Sequence, residues 1–176
     1  MLEIDNIVNM KIPRWNQLPD FGIYKDQLIT IVKDILDPIF ISEEEFITPS
    51  MVNNYVKLKR MPEPIKKKYY KVHIASIIVI TALKQILSLD DIKRVIDRLE
   101  DICGYEKAYN IFCDLLEKNI INVFEDKNIE NNFNDLDYLV AVDFITTSLC
   151  MKLYTQIILN DKQNEGENNG EDSNIN

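Results

Sequence analysis

The chain has 176 residues, 46% of them apolar, and a net charge of −9. That is enough for one domain with a proper core, and too apolar for wholesale disorder. Glu3, Asp5, Lys11 and Arg14 break up the N-terminus, and Asp143 and Lys152 interrupt the most apolar late segment, so neither a signal peptide nor a membrane span is expected.

Residues 1–22 read as an N-terminal arm in which Pro13 and Pro19 forbid a long helix and Trp15 and Phe21 serve as anchors. A first helix is expected over 24–36, with Tyr24, Leu28, Ile31, Val32 and Ile35 as its apolar stripe and Pro38 closing it. After the insertion "DPIFISEEEF", Thr48-Pro49 starts a second helix over 49–58: threonine caps the open amides and proline loses nothing at the first position. Its inward residues are Met51, Val52, Tyr55 and Leu58, and a short Pro-flanked hairpin follows over 62–71.

From Ile65 to Asn160 there is no proline and one glycine, Gly104, as expected of helices joined by short turns. A helix over 73–87 is apolar nearly all round and should be covered on both sides. Ser88 and Asp91 form a capping box for the next, which carries Ile92, Val95, Ile96 and Leu99. After Gly104 come a whole or broken helix over 105–124, an Asn-rich connection and a final helix over 136–159. Residues 161–176, with a net charge of −4, are expected to form a disordered acidic tail. The fold class is therefore all-α: an arm (1–22), a head (23–100), a helical dimerisation or effector region (101–160) and the tail (161–176).

The charge is unevenly placed. Between Lys57 and Lys71 seven cations (Lys57, Lys59, Arg60, Lys66, Lys67, Lys68 and Lys71) face one anion, Glu63. A cation-bearing helix followed by a cation-bearing hairpin is the arrangement by which a winged helix-turn-helix grips DNA, helix in the major groove and wing on the phosphates. On the second helix Ser50, Asn53, Asn54 and Lys57 point outward, and asparagine can read adenine. The expected DNA-binding residues are thus Ser50, Asn53, Asn54, Lys57, Lys59, Arg60, Lys66, Lys67, Lys68 and Lys71.

The segments "ITPSMVNNYVKLKRMPEP", "YY" and "LKQILSLDDIKRVI" resemble the MerR-type head, with Tyr55 in the recognition helix, Met61 at its exit, Tyr70 closing the wing and Ser88–Ile92 opening the last helix. "W..LPDFGIYKDQLI", "ITPSMVNNYVK" and "PIKKKYY..HIA" together are similar to the Firmicute domain-of-unknown-function family 1836 over about residues 12–120. The MerR likeness implies a winged helix-turn-helix with a short wing hairpin and binding to double-stranded DNA. The chain departs from it in Asn53-Asn54, in the shorter wing and in the larger helical region that replaces the terminal dimerisation helix, so promoter twisting is not implied.

Other chemistries lack material. Two body glycines, Gly22 and Gly104, make no phosphate-cradling loop. The single histidine, His73, at a helix start, suits packing or capping better than catalysis, and no enzymatic activity is expected. Cys103, Cys113 and Cys150 form no CxxC pair, so free thiols in the cytoplasm are expected, with no metal or other cofactor. The apolar face of the last helix (Leu139, Val142, Ile145, Leu149, Leu153, Ile157) is half of the monomer's core, the seam of a homodimer through 136–159, or the wall of a pocket for a small apolar effector. The expected function is transcriptional regulation by DNA binding. The alternative is a non-enzymatic adaptor whose degenerate helix-turn-helix head binds an acidic partner, its cations paired internally or capped by "SEEEF".

Overall fold

The computed structural model describes residues 2–41, 45–126 and 138–168. It is helical throughout: α1 (Leu2–Val8), α2 (Lys25–Leu36), α3 (Pro49–Lys57), α4 (Lys71–Leu83), α5 (Leu89–Cys103), α6 (Tyr105–Ile121) and α7 (Tyr138–Asn168). A π-turn, Asn122–Asp126, prolongs α6. Among the described residues no strand forms; the expected wing hairpin is reduced to two isolated antiparallel bridges, Ile65 with Lys68 and Ile23 with Tyr69.

The centre is α4. Every residue from His73 to Leu83 is buried, because α2, α5, α6 and α7 all pack around it. Its all-round apolar sequence needs that cover. It ends at Leu83, short of the expected 87, in turns where the Ile86 and Leu87 amides both donate to the Leu83 carbonyl, at 3.0 and 2.9 Å. The ammonium of Lys84 there, half-buried and with its pKa lowered by burial, reaches the Phe46 carbonyl, and also Met51 Sδ at 3.5 Å. That contact ties the α2–α3 connection, where Phe40 and Phe46 stack, to the core.

The expected caps form. Thr48 Oγ1 accepts from the Met51 amide at 3.2 Å, and Ser88 Oγ accepts from the Asp91 amide at 3.1 Å. Gly104, at φ +79° and ψ 160°, ends α5 and begins α6 in a backbone region that L side chains avoid. Between α6 and α7, the buried Asn119 amide donates to Asp143 Oδ1 and to Thr146 Oγ1, both at 2.8 Å. A cavity of about 40 Å³ lies between α4, α5, α6 and α7, apolar except for the hydroxyls of Ser76 and Tyr105, 3.0 Å apart, and the Glu100 side of α5.

Four expectations are corrected. Leu58, expected to face inward from α3, lies at the C-cap of that helix and is 43% exposed. Phe21 and Tyr24 are not anchored: they are 69% and 60% exposed. The arm holds instead through Ile12, Leu18 and Trp15, the last packed against Tyr105 and Tyr109. The arm also begins with a helix, α1, whose Ile7 is buried and whose Ile4 and Val8 pack on the same core. On α7, Val142, Leu149, Leu153 and Ile157 are buried inside the monomer, as the core reading of that stripe requires, while Ile145 is half-buried and Leu139 is 44% exposed. The helix itself runs to Asn168, past the expected end at 159, while 169–176 of the expected tail lie outside the described residues.

Among the described residues no helix is long and apolar enough to cross a membrane, and no group of three His, Cys, Asp or Glu side chains could hold a metal ion. Cys113 and Cys150 are buried, which pushes both thiols up to about 12; Cys103 is half-buried and also unbridged.

Candidate nucleic-acid interface

The site is assembled from the C-terminal end of α3, the turn that follows, and the N-terminus of α2. Helix α3 buries Val52 and Tyr55 and leaves Ser50, Asn53, Asn54 and Lys57 exposed on the other side. It stops in a Schellman motif: the Arg60 amide donates to the Tyr55 carbonyl at 2.8 Å and the Lys59 amide to the Val56 carbonyl at 2.9 Å. The residue that such a motif holds in the left-handed region, usually glycine, is here Lys59 at φ 56°.

The second turn repeats the pattern. Ile65 and Lys68 exchange backbone hydrogen bonds at 3.0 and 2.9 Å around the two residues Lys66 and Lys67, at φ 49° and 63°. Positive φ at both central positions is a type I′ turn, which normally takes Asn-Gly. The described residues contain three non-glycine positions with positive φ, and all three are lysines of this surface.

Three supports hold the turn in place. Ile23 and Tyr69 exchange amide hydrogen bonds at 2.9 and 2.8 Å, tying it to the arm. Gly22 lies so close that a Cβ there would meet Tyr70 Cζ at 2.8 Å and Lys68 Cβ at 2.9 Å. His73, 1% exposed, accepts the Tyr70 amide at Nδ1 (2.9 Å) and donates from Nε2 to the Glu63 carbonyl (3.0 Å). Both ring nitrogens are thus spent on backbone, which makes His73 a cap and a brace for the loop. Tyr55 and Tyr69 are buried, with phenol pKa values raised by that burial, and Tyr70 is half-buried, so Tyr55 and Tyr69 are core rather than stacking residues.

A cleft of about 580 Å³ opens between these elements. Lys25, Asn53, Lys57 and Lys67 line it, with Asp26, Tyr24 and Pro64. The structure thus brings Asn53, Lys57 and Lys67 together on one surface. Ion pairs with described residues engage none of Lys57, Lys59, Lys66 and Lys67. Lys68 holds its Nζ 5.6 Å from the ring centroid of Tyr24.

Among the described residues, three of the expected DNA-binding residues are hydrogen-bonded or ion-paired to other side chains. Arg60 pairs with Asp90 in the first turn of α5, and Lys71 with Asp20 of the arm. Asn53 Oδ1 accepts from Lys25 Nζ, so bidentate reading of adenine would need Lys25 to release it. The acids suggested as internal caps divide: Glu45 pairs with Lys33 at 2.5 Å, while Glu43 and Glu44 lie outside the described residues. Sequence reasoning missed Lys25 and Tyr24 as members of the site. The first follows a presumed helix start and the second read as part of an apolar stripe.

No curated protein and no solved structure matches this chain. The model of a family described as a domain of unknown function, DUF1836, matches residues 13–112, a stretch that contains every residue of the cleft; the chain belongs to that family.

Proposed function

We propose that this protein is a DNA-binding regulator of transcription whose head is a MerR-like winged helix-turn-helix, acting in the cytoplasm without catalysis. In this reading α2 and α3 form the helix-turn-helix and the 65–68 turn is a wing pared to its tip. Lys57, Lys59, Lys66 and Lys67 neutralise phosphates, while Ser50, Asn53 and Asn54 lie nearest the base edges. One observation supports the proposal: among the described residues four exposed lysines, Lys57, Lys59, Lys66 and Lys67, have no ion-pair partner, two of them (Lys57 and Lys67) line one cleft with Asn53, and three of them (Lys59, Lys66 and Lys67) are held in left-handed backbone. Strained backbone is retained where the surrounding structure uses it, most often at binding sites. A homodimer matching a palindromic site would use the outward side of α7, where Ser148, Met151, Thr155 and Ile158 are exposed. A small apolar effector would have to part α5 from α4, since the cavity between them is far smaller than the roughly 300–1,000 Å³ of most ligand pockets. The pairing of Arg60 and Lys71 with internal acids favours the alternative, an adaptor for an acidic protein.

Fluorescence anisotropy with a duplex at 50 and 200 mM salt separates the two. Four phosphate contacts give a log–log salt slope of about −3.6, a loss of about 10²-fold over that range. A folded Lys66→Glu/Lys67→Glu variant should lose nearly all binding. Salt-insensitive binding, or an unaffected variant, would remove the regulator reading.

A further inference from the structure

We propose that Tyr24 is a base-stacking platform, so that this surface prefers DNA presenting an unpaired base beside its phosphates over fully paired duplex. The proposal rests on the nucleic-acid reading above and specifies the form of its ligand. Tyr24 sits at the N-cap of α2 with extended backbone, φ −82° and ψ 163°, and makes no side-chain capping hydrogen bond. Its amide is served by Gln27 Oε1 at 2.9 Å, so the ring is not needed there. Ser, Thr, Asp or Asn at this position would cap the helix, and a residue that breaks such a local rule without compensation marks a functional position.

The ring contributes nothing to the core either, being 60% exposed. It nevertheless lines the same cleft as Asn53, Lys57 and Lys67, with the Lys68 ammonium 5.6 Å from its centroid. Val56 and Pro64 add apolar lining to that cleft. Cations without an ion-pair partner among the described residues select a polyanion. An exposed aromatic face among them selects one that carries flat rings, because stacking on tyrosine needs a base withdrawn from its helical neighbours. An acidic protein would satisfy the lysines and leave the ring unused.

The test uses the full chain and two duplexes of one sequence, one intact and one with a single bulged 2-aminopurine. The bulged duplex should bind tighter, and its fluorescence should be quenched on binding. Tyr24→Ser should abolish the quenching and weaken the bulged complex roughly 5- to 150-fold, the range given by a lost base–aromatic stack. Tyr24→Phe should restore both. Equal affinities for the two duplexes, with Tyr24→Ser without effect and Lys66→Glu/Lys67→Glu still damaging, would overturn the stacking role and leave the phosphate grip intact. Failure of both duplexes to bind would remove both proposals. Binding of poly-glutamate as tight as that of the bulged duplex would assign the surface to acidic proteins and overturn this one.

Discussion

At the residue scale the unusual feature is lysine where the backbone asks for glycine or asparagine. A left-handed residue with a Cβ costs about 1–2 kcal/mol, yet Lys66 and Lys67 adopt that conformation in succession. Replacing them by the residues a type I′ turn prefers, Lys66→Asn with Lys67→Gly, should therefore stabilise the protein by about 1–2 kcal/mol, seen as a higher urea midpoint at unchanged m-value. The same variant should make the salt slope of DNA binding shallower by about 1.8, since two phosphate contacts are lost. A variant that is no more stable, or as salt-sensitive as the parent, would show that the lysines are not strained for the sake of charge. The sequence made these cations visible as a cluster but hid their conformation. Lysine carries no positive-φ signal, and the turn is imposed by the pairing of Ile65 with Lys68 and of Ile23 with Tyr69. Tyr24 misled for a related reason: its spacing fits an apolar stripe, and only the cap geometry turns it outward.

At the element scale, the signals that proved reliable were those with a local mechanism. Thr48-Pro49 and Ser88 with Asp91 open helices because each side chain satisfies an amide within its own turn. The short α1 gave no such signal; a seven-residue helix is marginal alone and exists here through the burial of Ile7. The stripe on α7 was legible as apolar, with core as one of three readings, since periodicity cannot say whether a helix face meets its own chain or another. The arm illustrates how an element without regular structure can be specified by one residue. Gly22 lets the chain pass close enough to Tyr70 and Lys68 for Ile23 to bridge Tyr69. Gly22→Ala forces the Tyr70 ring aside and should cost about 1–3 kcal/mol. Amide exchange should then accelerate at Ile23 and Tyr69 more than in α4. Uniform acceleration, or none, would mean that the bridge does not depend on this close approach.

At the scale of the whole molecule, the arm is a strap that runs from α6 to the lysine turn, and its far end is pinned by charge. Arg14 donates to Glu117 Oε1 at 2.8 Å and Oε2 at 3.1 Å, and from Nε to Asp114 Oδ1 at 3.0 Å. Glu117 also accepts the Ile12 amide at 2.8 Å, and Tyr109 donates its hydroxyl hydrogen to the Pro13 carbonyl at 2.9 Å. Burial alone would raise the Glu117 pKa; the hydrogen bonds from Arg14 and Ile12 outweigh it and hold the carboxyl below the ordinary range. A carboxylate whose pKa is lowered on folding contributes stability that is complete above its unfolded value, about 4.3, and that disappears as pH falls through the lower folded one. The urea midpoint should therefore fall as pH drops from 6 to 3. In Glu117→Gln that fall should be shallower, because the variant has already lost the charged contact at pH 6, at a cost of about 2 kcal/mol. If the strap transmits, the variant will also show faster amide exchange at Ile23 and Tyr69 and weaker DNA binding at neutral pH, although position 117 lies outside the cleft. A destabilised variant with unchanged exchange at those two amides would confine the clamp to anchoring α6. The lysine turn would then be held by the Ile23–Tyr69 bridge, Gly22 and His73 independently of the clamp.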